Sequence, residues 1–235
     1  MGRYLPPTPD DDSALVSPAA LLALLIGGAL GGVFAVFVLP RFGPAVQTAV
    51  TGPQPRGLWY LVRTSGFSAY VLLWLSMASG VVISNRLARL WPGGPTAFAL
   101  HEHTSLLALA FAAGHAILLL GDTFIGYSLS EVVLPFTAVG YRPLEVGLGQ
   151  IGLYALIVVT LTFYVRRRIG QRTWRAIHYA SYAVFVLALL HGILSGTDSP
   201  SGWAVLIYWS TGTSLLALIA YRLWERREAI LRELA

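Results

Sequence analysis

The sequence has no cysteine and few charged residues. Of its 235 residues, 11% are charged and 56% are hydrophobic, whereas about a quarter of the residues are charged in an ordinary soluble domain. The lack of cysteine excludes disulfides, iron–sulfur clusters and thiolate metal sites, so histidine is the best remaining ligand for a borderline metal. The shortage of charge indicates an all-α integral membrane protein embedded in a lipid bilayer.

The net charge of +5 does not indicate nucleic-acid binding, because the arginines stand in short clusters between long apolar runs. The N-terminal stretch "MGRYLPPTPDDDSALVS" contains three consecutive aspartates and no basic segment followed by a cleavage site. We therefore expect no secretory signal. Residues 1–17 are predicted to form a cytoplasmic N-terminal tail.

Six apolar runs are each long enough to cross a bilayer, which takes about 20 residues of helix. They cover residues 18–39, 58–84, 98–121, 146–165, 176–196 and 202–224. The sequence therefore predicts a six-helix transmembrane domain over 18–224, followed by a short cytoplasmic C-terminal tail at 225–235.

Three segments that flank these spans are rich in arginine. They hold ten of the sixteen basic residues, namely Arg86, Arg89, Arg166, Arg167, Arg168, Arg172, Arg175, Arg226, Arg227 and Arg232. The positive-inside rule places these segments, and with them both termini, on the cytoplasmic side of the cytoplasmic membrane. Segment 122–145 then lies outside, where it is interpreted either as a cap or docking surface or as an ordinary surface loop.

All five histidines fall on two spans that run in the same direction, and four of them form a pattern. His101 and His115 lie on the third span, and His178 and His191 lie on the fifth. The first histidine of each span is near the cytoplasmic side and the second is nearer the outer side, so each depth has one histidine from each span. The 14-residue spacing on the third span places its two side chains within about 40° of one face and about 21 Å apart along the axis.

The spacing on the fifth span is 13 residues, which in an ideal helix turns the second imidazole about 140° from the first. Either the two cofactors are rotated relative to each other, or the helix is locally wound differently. His103 lies 12 residues from His115, which turns it about 120° away. His101 is therefore the better ligand, although spacing alone does not rule out an exchange with His103.

Two facing imidazoles are what a six-coordinate haem iron needs, and helical bundles build cofactor sites from side chains on facing helices. The four histidines meet this need twice. A histidine in a membrane helix also occurs as an interhelical hydrogen-bonding group or as part of a proton relay. Two pairs at matched depths favour haem.

The motifs "LHEH", "GHA", "WRAIHYASY" and "LHGILSGTD", with "RTSGFSAYVLLWLSMASG" on the second span, resemble the ferric-reductase-like transmembrane domain superfamily over roughly 58–224. That superfamily includes the membrane parts of ferric reductases and NADPH oxidases and the haem-binding membrane subunit of a bacterial periplasmic methionine sulfoxide reductase system. The resemblance implies a six-helix bundle with two stacked b-type haems between helices 3 and 5. His101 and His178 would bind the inner haem iron, and His115 and His191 the outer one.

Two arginines are further candidates for the cofactor site. Oxidase members of the superfamily have an arginine on the second helix close to the outer haem, and Arg63 occupies that kind of position. It either binds a haem propionate or an anionic acceptor, or it extends to the lipid headgroups. Arg175, three residues before His178, is a candidate for an inner propionate, although topology alone also accounts for it.

Ferric reductases and NADPH oxidases continue into a cytoplasmic domain that binds flavin and NADPH, whereas eleven residues follow Trp224 here. We therefore expect no NADPH or FAD domain in this chain. By resemblance to the stand-alone bacterial members, it is predicted to be an oxidoreductase electron-transfer subunit. A separate flavoprotein reductase or quinol would donate electrons, with the flavin or quinone supplied by or shared with a partner, and a periplasmic or extracellular redox partner would accept them.

Two alternatives to this function are kept. In the first, the chain would be an accessory or structural membrane subunit of a larger complex. In the second, it would be a proton or metal transporter that uses the histidines as a relay. The transporter is disfavoured because the predicted spans are nearly free of aspartate and glutamate, which such relays often use.

Overall fold

A computed structural model of the chain describes residues 57–85, 87, 93–122 and 125–234. These residues form eight helices, which are α1 (Gly57–Ser84), α2 (Gly94–Leu118), α3 (Leu129–Val133), α4 (Pro143–Thr162), α5 (Arg166–Ile169), α6 (Gln171–His178), α7 (Ser181–Ser195) and α8 (Gly202–Leu234). The described part of the chain contains no strand, as predicted for an all-α protein. The predicted N-terminal tail at 1–17 and first span at 18–39 lie outside the described residues.

Four helical stretches in the described part are long and apolar enough to cross a membrane, namely α1, α4, Gln171–Ser195 and Gly202–Arg232. They correspond to the predicted second, fourth, fifth and sixth spans. The third span is α2, which is 25 residues long but less apolar, because His101, Glu102 and His103 lie in its first half. The chain is thus a helical integral membrane protein.

The last helix extends further than predicted. The sixth span was expected to end at residue 224, whereas α8 continues to Leu234. The added stretch "ERREAILREL" consists almost entirely of strong helix formers. Its charges require no change of backbone conformation, so the helix continues where the apolar run stops.

The fifth span is interrupted between α6 and α7. The amide of Ala180 donates to the carbonyl of Ile177 at 2.9 Å, and the amide of Tyr182 donates to the carbonyl of Tyr179 at 3.3 Å. Both bonds join residues three apart, which is the tighter winding of a 3₁₀ turn. This turn lies between His178 and His191, so the helix is locally wound differently between the two histidines, which is one of the two explanations considered for their 13-residue spacing.

Two helix pairs form most of the bundle. The helix α1 packs along α2, α4 packs along α7, and α1 also contacts α7 and α8. A cluster of buried apolar residues that includes Tyr70, Leu73, Ala108, Val184 and Phe185 joins these helices. Because Ala108 is midway between His101 and His115, this core lies between the two histidine depths.

The outer segment 122–145 begins with the short helix α3. Ser128 and Glu131 form a capping box at its first turn: the Ser128 backbone amide donates to the Glu131 carboxylate at 2.9 Å, and the Ser128 hydroxyl donates to it at 2.7 Å. The amide of Val139 also donates to Glu131, at 3.3 Å. One carboxylate therefore holds both ends of the 128–139 stretch.

Polar side chains from the spanning helices attach this segment to the bundle. The Gln150 side-chain amide donates to the carbonyls of Glu131 at 2.7 Å and Val132 at 2.8 Å, and the Tyr154 hydroxyl donates to the carbonyl of Val133. The Tyr141 hydroxyl donates to the carbonyl of Ser195 at 2.9 Å. Of the two interpretations of this segment, the described contacts support a cap packed on the bundle.

Candidate functional site

The four predicted histidines meet as two pairs of rings. The rings of His101 and His178 lie 6.0 Å apart between centroids at an interplanar angle of 76°. The rings of His115 and His191 lie 6.2 Å apart at 75°. We call these the inner pair and the outer pair, after the sides predicted from the arginines. The pairing expected from sequence is therefore the one that the fold produces.

The spacing within each pair matches two imidazoles on opposite sides of one metal ion. A metal–nitrogen bond of about 2.0 Å and about 1.1 Å from that nitrogen to the ring centre predict centroids about 6.2 Å apart. No group of three or more His, Cys, Asp or Glu side chains that could hold a metal ion occurs in the described part of the chain. Two imidazoles are too few for a bare ion, but they would suffice for a haem iron, whose macrocycle would supply the remaining ligands.

Backbone carbonyls fix the rings of three of these histidines. Nδ1 of His101 donates to the carbonyl of Ser76, Nδ1 of His115 to that of Val62, and Nδ1 of His191 to that of Glu145, each at 2.8 Å. Because a carbonyl only accepts, Nδ1 carries the proton in each ring and Nε2 keeps its lone pair. Neutral Nε2 is the form that binds a metal.

The fourth histidine is supported by an aromatic side chain. The Trp174 indole stacks on His178 with centroids 5.2 Å apart and an interplanar angle of 30°. Trp174 also contacts Phe163, at 6.1 Å between centroids. The buried indole Nε1 has no hydrogen-bond partner among the described residues, so this ring holds its position by packing alone.

A cavity of about 220 Å³ opens beside the outer pair. Both rings of that pair line it, together with Arg63, Tyr141 and Gln150. The buried Oε1 of Gln150 has no partner in the described structure. The wall of the cavity is otherwise mainly apolar, which is typical of cofactor pockets with a few polar groups for orientation.

Arg63 lies on the rim of this cavity and is held by a carboxylate. Its Nε donates to Oδ2 of Asp198 at 2.7 Å, and a second guanidinium nitrogen contacts Oδ1. The guanidinium also lies over the rings of Trp59 and Tyr60, at 5.8 and 5.9 Å from their centroids. Arg63 is thus fixed at the level of the outer pair.

The two remaining predicted residues, His103 and Arg175, are both exposed. His103 is exposed and donates from Nδ1 to the carbonyl of Ala99 in its own helix, at 2.7 Å. Arg175 is exposed on α6. The structure therefore brings His101, and not His103, to His178.

Several residues of the site were not predicted from the sequence. A Cβ at Gly80, Gly66 or Gly149 would lie within 3.1 Å of a ring atom of His101, His115 or His191, respectively. The pairs Ser65–Gly66 and Ser79–Gly80 lie 14 residues apart in α1, the same spacing as the histidines on α2. This 14-residue repeat was the feature of the sequence that could have indicated the two glycines next to His101 and His115.

At the inner end, Glu102 is buried next to His101 on the chain. The Tyr164 hydroxyl donates to its carboxylate at 3.3 Å. Arg166 is also buried there and donates to the carbonyl of Phe163 at 2.9 Å. This polar cluster at the end of α4 was not predicted, because nothing in the spacing of these residues indicates that they share a site.

Comparison with protein families matches residues 65–189 to the family described as ferric reductase like transmembrane component. The match covers more than half of the 235-residue chain. It contains His101, His115 and His178, whereas His191 lies two residues beyond it.

The chain is also similar to curated bacterial proteins. The protein-methionine-sulfoxide reductase heme-binding subunits MsrQ of Bordetella pertussis, Bordetella parapertussis and Bordetella bronchiseptica are each 28% identical to it over 201 residues. The aligned region covers 80% of this chain and 93% of each relative. No solved structure matches the chain significantly.

Proposed function

The chain belongs to the ferric reductase like transmembrane component family, and on that premise we propose that it carries electrons across the membrane through two bis-histidine b-type haems. The inner pair, His101 and His178, would hold one haem, and the outer pair, His115 and His191, the other. When bound, haem supplies an iron centre that gains and loses one electron at a time. The protein's part is to fix ligation, spacing and surroundings.

The two ring pairs carry this proposal. Their centroid distances of 6.0 and 6.2 Å fit a metal ion between the rings, as argued above. Three of the four rings donate from Nδ1 to a carbonyl of another helix. Interhelical hydrogen bonding therefore occupies only Nδ1 of these rings and leaves Nε2 for a ligand.

We propose that electrons cross the apolar core that lies between the two pairs. Tyr70 and Phe185 stack with centroids 5.7 Å apart, and Ala108 is fully buried beside them. The Tyr70 hydroxyl is bonded to the Thr211 hydroxyl at 2.6 Å, so it does not leave an unpaired polar group in this layer. This apolar layer lies between the two proposed redox centres.

The two arginines are proposed to act on haem propionates. Arg63 lines the cavity beside the outer pair, and its bond to Asp198 holds the guanidinium there while leaving N–H groups for a second anion. Arg175, on the helix that carries His178, is proposed for the inner haem. Its exposed side chain has the reach to fold back over the inner pair.

We propose that electrons enter from the cytoplasmic side, from a flavoprotein reductase or quinol, and leave to an outer acceptor. The arginine-rich segments support this direction, because the positive-inside rule predicts that the inner pair is on the cytoplasmic side of the cytoplasmic membrane. The Bordetella relatives are named as the haem-binding subunits of a methionine sulfoxide reductase. By analogy, a separate redox protein on the outer side is the proposed acceptor.

The test is the haem content of single histidine variants of the full chain, purified after expression with adequate haem. The unmodified protein should contain about two haems with a low-spin bis-histidine spectrum. His178→Ala should lose the inner haem and His115→Ala the outer one, so each retains about one. His103→Ala is the matched control from the same helix as His115 and should keep both. Equal haem content in all four proteins would contradict the assignment.

A further inference from the structure

Three of the four histidines rest in the same type of backbone cradle. In each, a carbonyl accepts the Nδ1 proton, and the residue four positions later is a glycine that touches the ring. The carbonyl and glycine are Ser76 and Gly80 for His101, Val62 and Gly66 for His115, and Glu145 and Gly149 for His191. Residues four apart lie on one face of a helix, so each histidine ring lies across a single helical turn.

The glycine in each cradle is needed for space. A Cβ would lie 3.1 Å from Cε1 of His101 at position 80, 3.0 Å from Nδ1 of His115 at position 66, and 2.6 Å from Nδ1 of His191 at position 149. These distances are shorter than ordinary carbon–nitrogen or carbon–carbon contacts of about 3.5 Å or more. At position 149 an added Cβ would force a shift, and at positions 66 and 80 the ring would have to give by a few tenths of an ångström.

Two of the cradles form an exact repeat along α1. The carbonyls of Val62 and Ser76 are 14 residues apart, as are Gly66 and Gly80. Because His101 and His115 are also 14 residues apart on α2, the antiparallel packing of α1 and α2 brings both rings onto equivalent turns. One helix thus supports one ligand of each redox centre in the same way.

The repeat includes a serine that shares the carbonyl. The hydroxyl of Ser65 donates to the carbonyl of Val62, and the hydroxyl of Ser79 donates to that of Ser76, both at 2.9 Å. Both serines are buried. Each carbonyl therefore accepts from a serine and from a histidine as well as from the helical amide four residues later, and the serine and the histidine compete for its lone-pair density.

We propose that Gly66, Gly80 and Gly149 are positioning residues that set the reduction potential of the haem that each one faces, and that Ser65 and Ser79 adjust it. This inference rests on the proposed function. A strong Nδ1–H···O=C bond makes the imidazole a more basic ligand, and a more basic ligand favours the ferric state. Displacing the ring raises the potential, whereas removing the competing serine strengthens the bond and lowers it.

The cradles make the two levels unequal. Both ligands of the outer haem, His115 and His191, are held by a carbonyl and a glycine. At the inner level, His101 is the only ligand with a cradle among the described residues, and His178 packs on Trp174. The inner haem would therefore have one ligand held by a cradle, whereas the outer haem would have two. The potential of the inner haem would thus depend on a single cradle.

The experiment is a redox titration of the full-length holoprotein, following the absorbance of both haems. Gly80→Ala should raise the midpoint potential of the inner haem alone, and Gly66→Ala and Gly149→Ala that of the outer haem alone, with the larger shift for Gly149→Ala. Gly212→Ala is the matched control, because a Cβ there meets nothing within 4 Å.

The serine variants test the same inference without added bulk. Ser79→Ala should lower the inner potential and Ser65→Ala the outer one, and Ser79→Thr, which keeps the hydroxyl, should restore the original value. If the alanine variants of glycine lose haem, the serine series decides the outcome. Three results would overturn the inference: potential shifts of the same sign in both series, shifts of both haems together, or no shift. None of them would contradict the proposed binding of two haems. A chain without haem would overturn the proposed function as well.

Discussion

Arg63 and Asp198, which are 135 residues apart in the chain, form an ion pair that joins the start of α1 to the loop between α7 and α8. Water reaches little of either side chain, with 29% of Arg63 and 20% of Asp198 exposed. Because Arg63 also lines the cavity of the outer pair, the ion pair fixes the position of one side chain of the cavity wall. The guanidinium of Arg63 is therefore held against Asp198.

Removing this ion pair should destabilise the protein modestly. We expect Asp198→Asn to lower the free energy of unfolding by about 1 kcal/mol, since the pair is bidentate but still partly hydrated. Thermal unfolding in detergent measures the effect. A double-mutant cycle with Arg63→Gln should show a coupling of similar size, and additive single effects would mean that the pair contributes nothing.

Adding a methyl group at Gly147 should loosen the outer cap. A Cβ at this position would run into the ring of Phe136, which folds back over α4 from a left-handed backbone conformation with φ 66°. Overpacking of this kind costs about 1–3 kcal/mol, so Gly147→Ala should make the 128–142 segment more susceptible to proteolysis. Gly140→Ala is the control, because its Cβ would meet nothing within 4 Å. Equal cleavage of the two variants would contradict the packing described.

The outer cap should open in acid. Hydrogen bonds from the Ser128 hydroxyl and from the Ser128 and Val139 amides lower the pKa of Glu131 below its ordinary value. A lowered folded-state pKa means that the stabilisation is present above the unfolded pKa and is lost as pH falls through the folded one. Hydrogen exchange at Val139, compared with Glu131→Gln at each pH, should show protection in the unmodified protein only at the higher pH. Equal protection in both proteins throughout would contradict it.

Loss of the Trp174 indole should weaken haem binding at the inner level only. The ring supports His178 by stacking, so Trp174→Leu leaves that imidazole free to turn. We expect a lower content of the inner haem, measured by spectral titration, and near-normal content of the outer haem. Trp174→Phe retains an aromatic face and should behave much like the unmodified protein. An equal loss at both levels would indicate general unfolding instead.

The sequence predicted the large helices and the histidine pairs because both depend on local periodicity. The second span was expected at 58–84 and the helix covers Gly57–Ser84. A single apolar run in lipid can pair all its backbone hydrogen-bonding groups internally only as a helix. Pairing of His101 with His178 followed from the direction of the spans. The helix bounds differed most at α8, where helix propensity continued past the apolar run.

The supporting contacts of the site were not predictable in the same way. Asp198 lies in a short loop, and nothing in its neighbourhood indicates that it pairs with Arg63. The cradles combine residues of two helices, such as Gly149 and His191, whose contact depends on how the helices pack. The 3₁₀ turn after His178 likewise depends on tertiary contacts and has no proline or glycine to mark it. Such features are set by packing between distant segments, which spacing along one helix does not reveal.

The most direct test of the central claim is electron transfer across a sealed membrane. The purified holoprotein is reconstituted into lipid vesicles loaded with ferricyanide, and dithionite is added outside as a membrane-impermeant donor. We expect reduction of the trapped ferricyanide at a rate that requires both haems, and we expect His115→Ala and His178→Ala each to show only the rate of protein-free vesicles. Reduction no faster than in protein-free vesicles, by a protein shown to contain both haems, would contradict it.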